Sequence, residues 1–220
     1  RRGLWATCTT LVKPIIFLVL MAEVLGAIAG GVLAQALSSD VTYVTYLTPA
    51  IIIQSALAAA AVSGIGLVDD METGMFDKTL ISPMNRSAMF IGKALSEVVR
   101  ITAQTGIIIG LGYLLLVLKS GTTADQYLQT GLFGVLGIFV VTIIFGGVFM
   151  AYSNIVALVT RDREATVMIA NLLTFPLLFI SSAFLPLDVL PSWIQAVAVA
   201  NPITYGVDAI RALMLGQDVM

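Results

Sequence analysis

Five apolar runs, each long enough to cross a bilayer as a helix, take up most of this 220-residue chain. They lie at residues 14–37, 49–68, within 88–118, at 132–159 and at 165–185. A helix needs roughly 20 apolar residues to cross about 30 Å of hydrocarbon. The composition agrees: 59% of residues are hydrophobic and 11% charged, where a soluble domain carries about 25% charged residues. Mean hydropathy is +1.01. A soluble core of this length has no room for so much apolar surface, so the fold class is all-α, a polytopic helical membrane protein. Five spans are present. Residues 204–220 carry Asp208, Arg211 and Asp218 and are too polar to cross alone, so a sixth span is expected beyond Met220. The chain opens on Arg1 and reads as a fragment. Its first apolar run is too long for a cleavable signal peptide and has no small-residue cleavage site.

Several function classes fall away on composition. The formal net charge of −2 argues against a nucleic-acid partner. Cys8 is the one cysteine, so no disulfide forms within the chain. There is no histidine, which removes imidazole catalysis and histidine metal ligation. No paired carboxylates converge at one depth, and a membrane-embedded enzyme is the least favoured reading. No cofactor or metal is expected on this chain.

Basic residues set the orientation, because they concentrate on the cytoplasmic side. Arg1, Arg2, Lys13, Lys78, Arg86, Lys93, Arg161 and Arg163 fall in alternate connections, whereas the opposite loops contribute Lys119. The N-terminus, residues 69–87 and the turn around Arg161 are therefore expected in the cytoplasm. Residues 1–13 mix Leu4, Trp5, Leu11 and Val12 with basic residues before Pro14. That pattern predicts an interfacial helix with Trp5 at headgroup level; a simple basic anchor is the plainer alternative.

Between the second and third spans lies a polar island, residues 69–93, holding seven of the chain's 24 charges. Asp69, Asp70 and Glu72 are expected just past the second span, followed by Gly74. Residues 75–81 pattern as a short amphipathic helix that Pro83 ends, and Ser87 is a plausible cap for the next helix. Such a helix tied to two spans can carry a push from a soluble partner. An ordinary solvated loop would carry the same charges.

Polar residues inside the spans are few. Glu23 is nine residues past Pro14, about 13 Å along a helix, and a mid-membrane carboxylate is a functional candidate by default. It reads either as a substrate or cation contact or, slightly favoured, as a neutral structural hydrogen-bonding group. Glu97 and Arg100 are three apart, as are Asp208 and Arg211, and each couple can pair. Gln35, Gln54, Gln104, Asn154 and Asn171 read as packing groups. Gly26-x-x-x-Gly30 and Gly106-x-x-x-Gly110 permit close helix approach, and Gly146-Gly147 marks an expected kink. After the fifth span, a short helix over 192–200 and a second after Asn201-Pro202 read as a hairpin dipping into the outer leaflet, which protein or a cavity must surround.

Three blocks carry a resemblance. They are the basic and aromatic lead-in to Lys13-Pro14; Asp70-x-Glu72-x-Gly74 with Ile81-Ser82-Pro83 and Gly92-Lys93; and Ser181-Ser182-x-Phe184-x-Pro186 with Leu190-Pro191-x-Trp193, Asn201-Pro202-x-x-Tyr205 and Asp208-x-x-Arg211. With them the chain resembles the membrane subunit of a type-2 ABC exporter, the class of the daunorubicin-resistance and polysaccharide export permeases. The resemblance implies one transmembrane domain with an elbow helix (1–13), two spans (14–68), a cytoplasmic coupling segment (69–87), three more spans (88–185) and an external re-entrant hairpin (186–220). It implies a homodimer or heterodimer with a second permease copy, in the lipid of a prokaryotic cell membrane. It implies a partner ATPase that holds ATP and Mg and does all the chemistry, with Asp70, Glu72, Gly74, Asp77 and Pro83 as coupling residues. The chain itself has no G-x-x-x-x-G-K-[ST] loop and is not expected to be a catalyst. Export of a drug-like, lipid or lipid-linked substrate is the implied function. Two other readings remain open: an ion-driven transporter built on Glu23, and a non-transporting membrane assembly subunit.

Overall fold

The computed structural model describes residues 14–24, 43–75, 78, 86–120, 130–184 and 191–215. Among them every regular element is a helix: α1 Pro14–Val24, α2 Tyr43–Glu72, α3 Arg86–Ser120, α4 Gly131–Thr160, α5 Arg163–Phe179, α6 Ser192–Val199 and α7 Pro202–Leu215. The expected elbow over 1–13, the rest of the first span with Gly26, Gly30 and Gln35, the coupling residues Asp77 and Pro83, and residues 185–190 lie outside the described residues. Val44–Glu72, Ile91–Leu118 and Phe133–Thr160 are long and apolar enough to cross a membrane. Helix α5 has 17 residues, about 25 Å of rise.

Several boundaries move from their sequence-based places. The second helix begins at Tyr43 and runs through Pro49, six residues before the predicted start. Proline removes one helical bond, yet Val44, Leu47 and Ala50 are buried around it, and packing carries the helix through. At the other end Asp69, Asp70 and Glu72 form the last turn of α2 rather than a loop. Ser87 is inside α3, which starts at Arg86. Helix α5 stops at Phe179, six residues early: the Ile180 N–H bonds the Pro176 carbonyl at 3.0 Å, and the Ser181 hydroxyl donates to the Leu178 carbonyl at 2.6 Å.

Helix α2 is the core. Ile51, Ile52 and Ile53 are consecutive and fully buried, which happens only when a helix has neighbours on every side. Helix α4 is one-sided instead. Leu136, Val140, Ile144 and Val148 are exposed, while Ile138, Thr142, Ser153 and Ala157 are buried. An apolar exposed stripe at that spacing is a surface suited to lipid or to another apolar helix.

Glycines set where the helices touch. A Cβ on Gly64 of α2 would stand 2.3 Å from Ser153 Oγ and 2.7 Å from the Ser153 carbonyl oxygen, so α2 and α4 cross there almost backbone to backbone. The Ser153 hydroxyl donates to the Ala61 carbonyl at 3.3 Å, and Ser63 meets Asn154 at 3.4 Å. Gly146 makes room for Ile101 of α3, and α4 continues unbroken through the Gly146-Gly147 step that sequence marks as a kink. Gly106 meets only the Phe139 ring edge at 3.9 Å and Gly110 meets nothing within 4 Å, so this pair makes no close crossing.

Helices α6 and α7 follow one another across a break at residues 200–201. Asn201, at the break between them, donates to the Leu177 carbonyl of α5 and accepts from the Ile203 N–H at 2.9 Å. Gly206 then lies under Phe145, midway along α4, and beside Ile53, ten residues into α2 or about 15 Å. From there α7 runs antiparallel to α4 until Leu213 reaches Gly137. Helix α7 thus reaches the middle of the bundle.

Alanine at Gly64 separates two opposed effects. Intrinsic helix propensity favours Ala over Gly by about 1 kcal/mol, whereas overpacking costs about 1–3 kcal/mol. The clash includes Ser153 backbone, so packing wins: Gly64→Ala lowers the thermal unfolding midpoint of the detergent-purified protein, and truncating Ser153 to Ala restores little of it. A Gly64→Ala protein more stable than its parent rules out the close crossing.

Candidate functional site

One end of the bundle collects charge. Asp69, Asp70 and Glu72 occupy the last turn of α2, with no basic residue beside them on that helix. Carboxylates at a helix C-terminus oppose the macrodipole, so this turn needs cations from elsewhere. Lys93 of α3 supplies one, its Nζ 2.8 Å from Asp70 Oδ2, with its stem lying over Gly66. Arg163 of α5 supplies another, its Nη1 3.3 Å from Asp69 Oδ1. The turn closes on Gly74, at φ 67°, whose N–H bonds the Met71 carbonyl at 3.1 Å; a glycine past a helix end suits that left-handed position. The Lys78 N–H then bonds the Gly74 carbonyl at 3.1 Å. Glu72 is exposed.

The turn between α4 and α5 lies at the same end. Arg161 takes the left-handed conformation at φ 49°, and Asp162 caps α5 by accepting the Ala165 N–H at 2.7 Å. This agrees with the sequence expectation that the end of the second span and Arg161 share a side.

Further in, α3 turns a polar stripe toward α2. Lys93, Glu97, Arg100 and Gln104 follow at spacings of four, three and four, one helix face. Glu97 and Arg100 form the predicted ion pair, at 2.5 Å. Arg100 Nη2 also donates to the Ala59 carbonyl of α2 at 2.8 Å, a contact that i, i+3 reasoning alone misses. Beside this stripe is a cavity of about 220 Å³ bounded by α1, α2, α3 and α5. Its walls include Pro14 of α1, Ser55, Ala61, Val62 and Ile65 of α2, Gln104 of α3, and Val167 and Asn171 of α5. Ser55, Gln104 and Asn171 bring polar side chains from three helices to it. Glu23, the other predicted intramembrane candidate, is exposed on α1 and lies apart from these walls.

The opposite end holds a second buried cluster. Arg211 of α7 is 1% exposed, and its Nη1 is 2.7 Å from Asp208 Oδ1, the predicted pair. Its guanidinium stacks 3.9 Å over the Tyr46 ring of α2, and Nη2 donates to the Ser182 carbonyl at 3.0 Å. The Ser182 hydroxyl in turn donates to Asp208 at 2.8 Å, and the Tyr46 hydroxyl to the Ser182 carbonyl at 3.2 Å. Sequence reading placed Tyr46 in a loop and so missed it. No spacing in the sequence marks it, because its partners lie 136 and 165 residues away.

Comparison with known proteins supplies a frame. The model of a family described as ABC-2 type transporter matches residues 2–215. A daunorubicin resistance ABC transporter permease protein of Streptomyces coeruleorubidus is 29% identical over 92% of this chain and 66% of its own length. A putative transport permease of Cyanophora paradoxa is 28% identical over 78% of this chain and 56% of its own length. A probable doxorubicin resistance ABC transporter permease protein of Mycobacterium tuberculosis is 26% identical over 96% of this chain and 70% of its own length. The chain thus spans just under two thirds, or less, of the first two relatives. No solved structure matches it.

The Arg211 cluster generates a stability prediction. Removing one partner of a buried ion pair costs about 3–5 kcal/mol, while replacing both by apolar groups is often near neutral. Arg211→Leu therefore lowers the thermal midpoint strongly, and Arg211→Leu with Asp208→Leu recovers a large part of the loss. Equal loss in the single and double variants would show that the pair is not the source.

Proposed function

The chain belongs to the ABC-2 type transporter family, and on that premise we propose that it is the permease subunit of an ATP-driven exporter. It lies in a membrane. The proposal puts its charged end in the cytoplasm of a prokaryotic cell, against a separate ATPase subunit that binds ATP and Mg, with a second permease copy beside it. The observation that carries the reading is the wiring of the α2 terminus. Asp70 and Asp69 join α2 to α3 and α5, so a force applied to the following segment reaches three helices at once.

In this reading Glu72, exposed at the foot of α2, meets the ATPase, and Gly74 sets the angle at which the chain leaves the helix. Asp77 and Pro83 belong to the same coupling segment. ATP-driven closure of the partner biases a two-state equilibrium of the permease, as any coupling claim requires. The cavity beside α2 and α5, largely apolar with Ser55, Gln104 and Asn171 among its walls, is part of the path. Cargo is proposed as lipophilic, drug-like or lipid-linked. The drug-resistance names of two relatives support that class.

The first test is affinity purification of the full-length protein in mild detergent, followed by identification of what co-purifies and an ATPase assay. A stoichiometric ATP-binding subunit is expected. Glu72→Arg is expected to insert normally and to export at least tenfold more slowly, the loss that about 1.4 kcal/mol of coupling represents. A protein recovered alone, without ATPase activity, sinks this proposal and shifts the reading to an ion-driven transporter using Glu23.

A further inference from the structure

We propose that Asp69 and Arg163 form a gate, a salt bridge strung across the charged-end mouth of the cavity beside α2 and α5. The cavity's lining reaches Ile65 on α2 and Val167 on α5. Asp69 lies four residues beyond Ile65, and Arg163 four residues before Val167. Four residues make about one helical turn, roughly 6 Å. The pair therefore crosses from one cavity wall to the other one turn outside the lining, with Arg163 Nη1 3.3 Å from Asp69 Oδ1.

The placement of the two charges has no local rationale. Asp69 sits in the C-terminal turn of α2, where the macrodipole disfavours an anion, and Arg163 is the first residue of α5, where it disfavours a cation. Each stands at the wrong end of its own helix and is compensated by the other. Asp70 differs, because its cation comes from Lys93 of α3. The Asp69–Arg163 side chains are 43% and 60% exposed, so water and salt reach the pair and its attraction is weak. That suits a contact that must part and re-form, and it contrasts with Arg211, which is sealed from water. Pro176 inside α5 removes a helical bond and leaves the first three turns of α5 freer to swing from α2. Opening the pair joins the cavity to water at the charged end. As a gate on a transport path this rests on the function proposed above; as a gate on the cavity it needs neither ATP nor cargo.

The test uses the full-length protein in lipid nanodiscs, where both faces meet water. Cys8 is replaced by Ser and Val62, a cavity wall, by Cys. The rate of labelling by a charged, membrane-impermeant methanethiosulfonate reports access. Arg163→Ala and Asp69→Ala are each expected to raise that rate about fivefold, the shift that a pair of this exposure can sustain. The exchange Asp69→Arg with Arg163→Asp restores the pair with both charges at their preferred helix ends, so its rate is expected at or below the parent's. In the parent, salt near 1 M, where the Debye length is about 3 Å, is expected to speed labelling; in the double alanine variant it is not. Rates unchanged in both alanine variants and by salt overturn the gate, whether or not an ATPase subunit is bound. The expected rates in a protein that recruits no ATPase keep the gate and remove the exporter reading.

Discussion

Four cations from three different helices reach one helix, and the described bundle depends on the three that are largely shielded from water. Lys93 and Arg100 of α3, Arg163 of α5 and Arg211 of α7 each reach α2, at Asp70, the Ala59 carbonyl, Asp69 and Tyr46 respectively. In hydrocarbon, helices gain little from burying apolar side chains against one another, because lipid is equally apolar. Specific polar contacts and close van der Waals packing must fix the arrangement. Helix α2 provides both: its carboxylates, a backbone carbonyl and a ring take the cations, and Gly64 admits α4 to backbone distance.

Much of this was legible in the chain. The apolar runs place α3 and α4 to within a few residues, because a membrane span is a long, one-dimensional signal. Spacing of three identified Glu97–Arg100 and Asp208–Arg211, since both partners lie on one helix. The alternation of basic loops correctly put the α2 terminus and the Arg161 turn at one end. Contacts between helices were not legible. Asp69–Arg163 and Tyr46–Arg211 link residues 94 and 165 positions apart, and no periodicity encodes which helices become neighbours. Proline misled at Pro49, where burial overrides a local preference, and small-residue spacing misled at Gly106 and Gly110, whose faces meet no backbone. The functional crossing glycine, Gly64, stands in a run of small residues where no spacing rule distinguished it.

The two ends of the bundle are fastened differently. At the end holding Arg211, the cation is buried, stacked and hydrogen-bonded to Asp208 and two backbone carbonyls. At the charged end, Asp69 and Arg163 share water with their surroundings. Stiffness in a packed protein follows burial and contact density, so relative motion of α2 and α5 is easiest where they carry exposed charge. Helix α7 adds to this inequality by wedging between α2 and α4 at the Arg211 end.

Arg211 also imposes an order on biogenesis. Tyr46 and Arg211 are 165 residues apart, and a chain grows N-terminus first at about 5–20 residues per second. For on the order of ten seconds, then, a nascent chain holds α2 with its aromatic socket waiting for a cation not yet made. During that interval the Tyr46 end of the bundle lacks its buried fastening while the earlier contacts of α3 and α4 can already form. Closure of the Tyr46 socket therefore reports the arrival of α7, long after the earlier neighbours of α2 have been made.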